Sequence, residues 1–279
     1  MKFVNQDVKY VYQKDGIGGV YDIIMECAKT CYQSEIKGNQ DSKEFVDKLI
    51  RNGHTAMLEF GTVYLKIPIL DLRNNTDLLV WRDTWDDCPW IQYTMDRSFM
   101  YVTTNMRYLW ERDMWIDSIL NYRIEPSKSH EKFPQRRCVK CITSIGIGRE
   151  LTRHRVFSFA QESTRYCNYS AGKFGGELTF ITPDKEAWGG STDAYVKQIN
   201  ILADVENCYI EAIQQGVSPQ TARNILPLST KAEICMCGFD SDWSHFFNLR
   251  MHGITGKPHP EMEALAKMIF FKFCTNIAI

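Results

Sequence analysis

The sequence predicts an α/β (α+β) fold: a central, mostly antiparallel sheet flanked by helices. Three observations predict it. Apolar residues recur at helical spacing in several separate segments, the clearest being 192–215. Between them lie short apolar runs that read as strands, at 57–69, 101–104, 138–143, 177–181 and 226–237. The chain has 279 residues, 44% of them hydrophobic, which is ample for one sizeable core in a single domain spanning 1–279.

Taken in order, residues 7–13 alternate loosely and read as a short strand. Segment 17–32 reads as a helix, with Val20, Ile23, Ile24, Cys27 and Cys31 on one stripe. Segment 42–51 is a second helix, with Ser42 as its expected N-cap and Asn52-Gly53 as its stop. The strand over 57–69 contains Gly61 and nears its end at Pro68. Residues 70–137 change character, holding Trp81, Trp85, Trp90, Trp110 and Trp115 and the acidic pair Asp86-Asp87. Within them a helix is expected over 107–120 and a Pro-containing polar loop over 125–137. A helix beginning at Ile145 leads into Arg153. Along 192–215, Tyr195, Ile199, Leu202, Val205, Tyr209 and Ile213 form the apolar face. Ser218-Pro219 opens a helix carrying Arg223, and helices follow over 241–251 and 261–274.

Composition narrows the functional classes. Net charge is −1, from 33 basic and 34 acidic residues, so nothing global points to nucleic acid or an acidic membrane surface. The ten cysteines read as reduced thiols of a cytoplasmic protein, since the N-terminus lacks an apolar leader core and no run is long enough to span a bilayer. Cys138-x-x-Cys141 and Cys235-x-Cys237 lack the four matched ligands that zinc needs, so no metal is expected and the thiols read as small buried hydrophobes.

One segment mixes cations with apolar side chains: Arg153-His154-Arg155, seven residues, then Ser163-Thr164-Arg165-Tyr166. Guanidiniums resist leaving water unpaired, while Val156, Phe157, Phe159 and Ala160 favour leaving it. Such a segment reads as the lining of a crevice for an anion such as phosphate, whose oxygens the planar guanidinium fork grips in two places. The bland reading is a helix whose arginines reach solvent or pair with Glu150 and Glu162.

This triplet and its serine resemble the signature of the flavin-dependent thymidylate synthases of the ThyX type. Three further segments are similar to that family in the same order: Gly53-His54 with Glu59, Ala222-Arg223 with Leu226-Pro227, and the helix from Trp243 through His245 to Arg250. The resemblance implies an enzyme converting dUMP to dTMP, with methylenetetrahydrofolate as carbon donor and NADPH reducing a bound FAD. It implies catalytic roles for Arg250, against the uracil, and for His54, against the flavin ring. Arg153, His154, Arg155, Gln161 and His245 would bind FAD. Glu150, Arg153, Gln161, Glu162, Ser163, Thr164, Arg165, Arg223 and Arg250 would bind the nucleotide. It further implies a homotetramer with shared active sites.

The chain departs from the family pattern at Ala56, where many relatives carry a hydroxyl, at Gln161, where a Glu is common, and at Phe239-Asp240-Ser241. Residues 70–137 stand where compact members use a short connection. They read as an insertion, either a packed excursion on the core or a lid. Two other function classes remain open at this level: an arginine-rich module gripping RNA phosphates, and a catalytically silent relative.

Overall fold

The computed structural model describes residues 1–33, 41–84, 88–129, 131–170, 172–184, 186 and 190–276, apart from the side chains of residues 77, 173 and 276. Trp85 and the Asp86-Asp87 pair lie outside the described residues. The chain begins with β1 (Lys2–Val4), β2 (Asp7–Val11), α1 (Gly16–Thr30) and α2 (Ser42–Arg51). A 3-10 turn, Thr55–Phe60, leads into β3 (Thr62–Pro68), α3 (Ile69–Asn74) and α4 (Thr76–Arg82). Next come β4 (Gln92–Met95), β5 (Phe99–Asn105), α5 (Met106–Trp110), α6 (Asp117–Leu120) and β6 (Arg123–Ile124). The remainder runs β7 (Arg136–Ser144), α7 (Ile145–Leu151), β8 (Ser158–Gln161), β9 (Thr179–Ile181), α8 (Thr192–Gln214), α9 (Pro219–Ala222), β10 (Lys231–Phe239), α10 (Asp240–Arg250) and α11 (Pro260–Asn276).

The expected α/β character and antiparallel pairing are present, divided between two four-stranded sheets. The first has the order β2-β7-β10-β8, with antiparallel neighbours throughout. Strand residues point alternately to opposite faces, so one apolar strand can feed two cores. In β10, Ile234 and Met236 join Val139 and Cys141 beneath Trp243 and Phe246 of α10 and Leu265 of α11. The intervening Cys235 and Cys237 join Cys138 beneath Val20, Ile23 and Ile24 of α1. The thiols are therefore small buried packing groups, and Cys27 Sγ lies 3.7 Å from Cys138 Sγ.

The second sheet, β4-β5-β3-β6, is also antiparallel. It is assembled on β3 by residues of the tryptophan-rich segment. Val63, Leu65 and Ile67 of β3 pack with Met100 and Val102 of β5 and with Leu78 and Trp81 of α4. The opposite face buries Tyr64, Tyr101 and Phe133. A separate pair, β1 and β9, is parallel and supports α8 through Phe180, Leu202 and Tyr209. Among the described residues, no helix is long and apolar enough to cross a membrane.

Several boundaries differ from the sequence reading. Asp41, not Ser42, caps α2, its carboxylate accepting from the backbone N–H groups of Lys43 and Glu44. The strand expected over 57–69 opens as a 3-10 turn, and extended pairing starts only at Thr62. The helix expected over 107–120 breaks after Trp110, where Asp113 adopts a positive φ of 55°. The cation-rich 153–165 segment is a turn followed by β8. Its apolar residues pair with β10, an outcome set by a partner far along the chain. The helix carrying Arg223 is one turn, Pro219–Ala222, which passes into a 3-10 turn at Arg223.

Gly61 sits where α1 crosses the start of β3. A Cβ there would lie 2.6 Å from Val20 Cγ1 and 2.8 Å from Ile24 Cδ1, both on fully buried side chains. Gly61→Ala is therefore expected to destabilise the fold by ~1–3 kcal/mol through overpacking, read as a lower urea midpoint at unchanged m-value.

Candidate functional site

A cleft of about 1240 Å³ opens between the C-terminal end of α1, α2, the 52–57 turn and α5. Ala28, Phe45, Leu49 and Met57 give it apolar walls, Lys29, Lys48 and Arg107 bring cations to it, and Asp41 and Glu44 line it as well. The end of α2 creates the position of His54. Gly53 takes a left-handed φ of 71°, and the N–H groups of Gly53 and His54 donate back to Ile50 and Leu49. His54 is left exposed at the cleft wall, with no hydrogen bond from its ring among the described residues. Lys29 is only 6% exposed, and burial pushes its ammonium pKa down.

Arg107 is a residue that the sequence reading missed. Its guanidinium bonds Glu59 at 2.6 Å and Glu111 at 2.7 Å, and lies over the Trp90 ring. The i, i+4 spacing to Glu111 is visible in the sequence. The partner Glu59 belongs to another segment, and pairing of β3 with β5 brings it close, with Met106 N–H donating to Gly61.

A second group of expected residues meets at the end of α7. Ser144 caps this helix by accepting from Ile147 N–H at 3.2 Å. The chain then turns, burying His154 with its ring edge-on to those of Phe157 and Phe246. Arg250, at the end of α10, donates from Nε to His154 Nε2 at 3.0 Å and from NH1 to Glu150 Oε2 at 3.0 Å. An imidazole nitrogen that accepts from a guanidinium carries no proton, so His154 is neutral. Burial, with Arg250 nearby, lowers its pKa to about 4. Arg153, Arg155 and His245 are exposed, and the guanidiniums of the two arginines make no hydrogen bond or ion pair among the described residues.

A third group forms in the loop after β8. Ser163 N–H donates to Cys31 O at the end of α1, and the N–H groups of Tyr166 and Cys167 both donate to Ser163 O. Arg223 NH1 donates to Thr164 Oγ1 at 3.3 Å, while the exposed Arg165 reaches Gln220 Oε1 at 3.4 Å. Arg223 thus bonds the same short loop that carries Arg165. The Tyr166 ring lies 5.2 Å from that of Tyr32 on the cleft rim, linking this loop to the cleft. Gln161 packs across Gly148 of α7, where a Cβ would come within 2.7 Å of its Nε2. Glu162, expected as a nucleotide ligand, points inward with a fully buried side chain.

The expected residues therefore form three neighbourhoods in a single chain: His54 on the cleft, Arg250 with His154 and Glu150, and Arg165 with Arg223. None of Arg153, Arg165, Arg223 and Arg250 lines the cleft itself.

The neutral state of His154 has a measurable consequence. As pH falls from 6.5, its ordinary value, to about 4, the unfolded chain takes up a proton that the folded chain refuses. The stability carried by neutral His154 is complete above that window. It is lost on descending through it, by at most ~1.4 kcal/mol per pH unit. Urea unfolding near pH 7 and near pH 5 checks this, and His154→Gln is expected to flatten that part of the profile.

Comparison with known proteins adds an independent finding. A probable flavin-dependent thymidylate synthase of Paramecium bursaria Chlorella virus 1 is 30% identical over 148 residues, covering 49% of this chain and 66% of the relative. The flavin-dependent thymidylate synthase of Synechocystis sp. is 28% identical over 142 residues, with the same shares. The matched part thus spans just under two thirds of each relative's length. A solved UMP/dUMP methylase, PolB of Streptomyces cacaoi, bound with 5-Br dUMP, covers 99% of this chain and 93% of its own, at 14% identity and a TM-score of 0.47. That likeness is too loose to argue from. Residues 135–276, just over half of the chain, match the family described as thymidylate synthase complementing protein (Thy1). This stretch contains the Arg153 triplet, Arg223 and Arg250, and the chain belongs to that family.

Proposed function

We propose that this chain is a flavin-dependent thymidylate synthase that methylates dUMP to dTMP, taking carbon from methylenetetrahydrofolate and electrons from NADPH through FAD. The observation that carries this reading is that Arg165 and Arg223, from motifs far apart in sequence, meet at one short loop: Arg165 follows Ser163 and Thr164 on it, and Arg223 bonds Thr164. Two guanidiniums beside a hydroxyl-bearing loop suit a nucleotide phosphate.

The residues present also fit a flavin. The cleft beside His54 has apolar walls broad enough for a planar ring system and cations for an anionic tail. Arg153 and Arg155 present open guanidiniums suited to a diphosphate. They lie outside the cleft of their own chain, which accords with a homotetramer in which one copy completes the site of another. When bound, FAD supplies the hydride that reduces the transferred carbon.

The protein's own part in the reaction is electrostatic and positional. Arg165 and Arg223 hold the phosphate and so fix the base. Arg250 stabilises the negative charge that develops on the pyrimidine as it becomes a carbon nucleophile. Glu150 and neutral His154 hold that guanidinium in place, using only part of its five-donor fork. A cysteine nucleophile has little support. Cys31 lines the cleft, but burial pushes its thiol pKa up, and Cys138, Cys141, Cys235 and Cys237 are enclosed in the core. Residues 1–279 act in this reading as one catalytic domain, with 70–137 as an insertion that supplies Arg107 to the cleft. The reading carries a cytoplasmic location and requires neither a metal nor nucleic acid.

The purified chain is expected to bind FAD near one per protomer, seen in its visible spectrum. Failure to bind would remove the flavin from the reading. Arg250→Ala is expected to lower dUMP-dependent dTMP formation by roughly 10²–10³-fold, and turnover near that of the parent chain would overturn the role given to Arg250.

A further inference from the structure

Glu162 lies beside the nucleotide loop, yet its side chain is fully buried. Its Oε2 accepts from Lys231 Nζ at 3.0 Å, Glu233 N–H at 3.0 Å and Gln33 Nε2 at 3.2 Å. Its Oε1 accepts from Tyr169 O–H at 2.9 Å. Lys231 in turn bonds Glu233 at 2.7 Å, and Glu233 bonds Lys140 at 2.6 Å. Two carboxylates and two ammoniums thus form a balanced chain across β7, β10 and the loop after β8. A buried carboxylate with this many donors has little capacity left for a ligand, and separating it from its counter-ion is costly.

The network has two exits. Ser163, the next residue, is tied through its N–H to Cys31, and Gln33 comes from the same end of α1. Cys31 and Tyr32 line the cleft. Glu162 thereby joins the loop carrying Ser163, Thr164 and Arg165 to the wall of the cleft that holds His54.

We propose that Glu162 and Lys231 form a positioning pair. The pair fixes the Ser163–Arg165 phosphate loop against the flavin cleft and itself touches neither ligand. This rests on the reading of dUMP and FAD as the ligands. A misplaced phosphate loop weakens nucleotide capture while leaving a flavin bound elsewhere in the cleft undisturbed.

The test compares Glu162→Gln, Lys231→Met and the double variant in the FAD-loaded enzyme. Each single change is expected to raise the dUMP KM by ~10-fold or more, with kcat within about twofold and the flavin spectrum unchanged. The double variant is expected to be no worse than the poorer single, because the two residues act as one unit. Lys231→Arg, which keeps the charge, is expected to restore most of the KM. If Lys231→Met leaves the KM unchanged while Glu162→Gln raises it, Glu162 is a direct ligand and the proposal is overturned. Parallel loss of FAD binding and thermal stability without a change in KM overturns it equally. Amide hydrogen exchange gives an arm free of the substrate assignment, and it also serves if Lys231→Met fails to fold. Glu162→Gln is expected to speed exchange at Ser163, Tyr166 and Cys167 selectively, and unchanged exchange there refutes the pair. A parent enzyme that binds no dUMP removes the thymidylate reading, while the exchange comparison still decides the pair.

Discussion

Strand β10 is the constraint on which the rest depends. It is hydrogen-bonded along both edges, by β7 over nine registered positions and by β8 over four. It is also covered on both faces, by α10 and α11 on one side and α1 on the other. A strand held in this way has no freedom of register, because a shift of one residue would exchange its two buried faces. Everything attached to it inherits that rigidity. α10 starts directly after β10 and carries Arg250, while β8 delivers Glu162 and the Ser163 loop. The alternation of Ile234 and Met236 with Cys235 and Cys237 lets one strand serve a bulky aromatic core and a close-packed thiol layer.

Around this frame, buried ionisable groups are accommodated in several ways. His154 is kept neutral by burial and by the guanidinium that uses it as an acceptor. Glu233 is held near pKa 2, despite its burial, by the ammoniums of Lys231 and Lys140. Arg136 has no carboxylate in its hydrogen bonds among the described residues. It is 8% exposed, donates to Glu59 O, Thr62 Oγ1 and Ser158 Oγ, and has no partner for Nε among the described residues. A guanidinium satisfied only by neutral acceptors is expensive to bury. It fastens the start of β3 to the central sheet.

The segment 70–137 has more structural consequence than its sequence suggests. Its strand β5 pairs along the whole of β3, and its core meets the one beneath α1 through Trp115, which packs against both. Through Arg107 it clamps Glu59, five residues after His54, and so bears on the shape of the cleft. Its composition signalled only an aromatic excursion, because tryptophans report burial without saying against what.

The sequence by itself determined what local chemistry can specify. Helical spacing located α1, α2, α8, α10 and α11, and the Gly53 stop placed His54 at the end of a helix. The ordered cationic motifs announced the family before any coordinates. Only the tertiary structure decided which acid meets which base. Glu150 neutralises Arg250, Glu59 meets Arg107, and Glu162 turns inward to Lys231. These pairings span large separations along the chain and depend on strand register and helix crossing, which no local pattern encodes. The same physics turned the cation-rich segment into a turn and a strand, because β10 offered its apolar residues a better partner than a helix of their own.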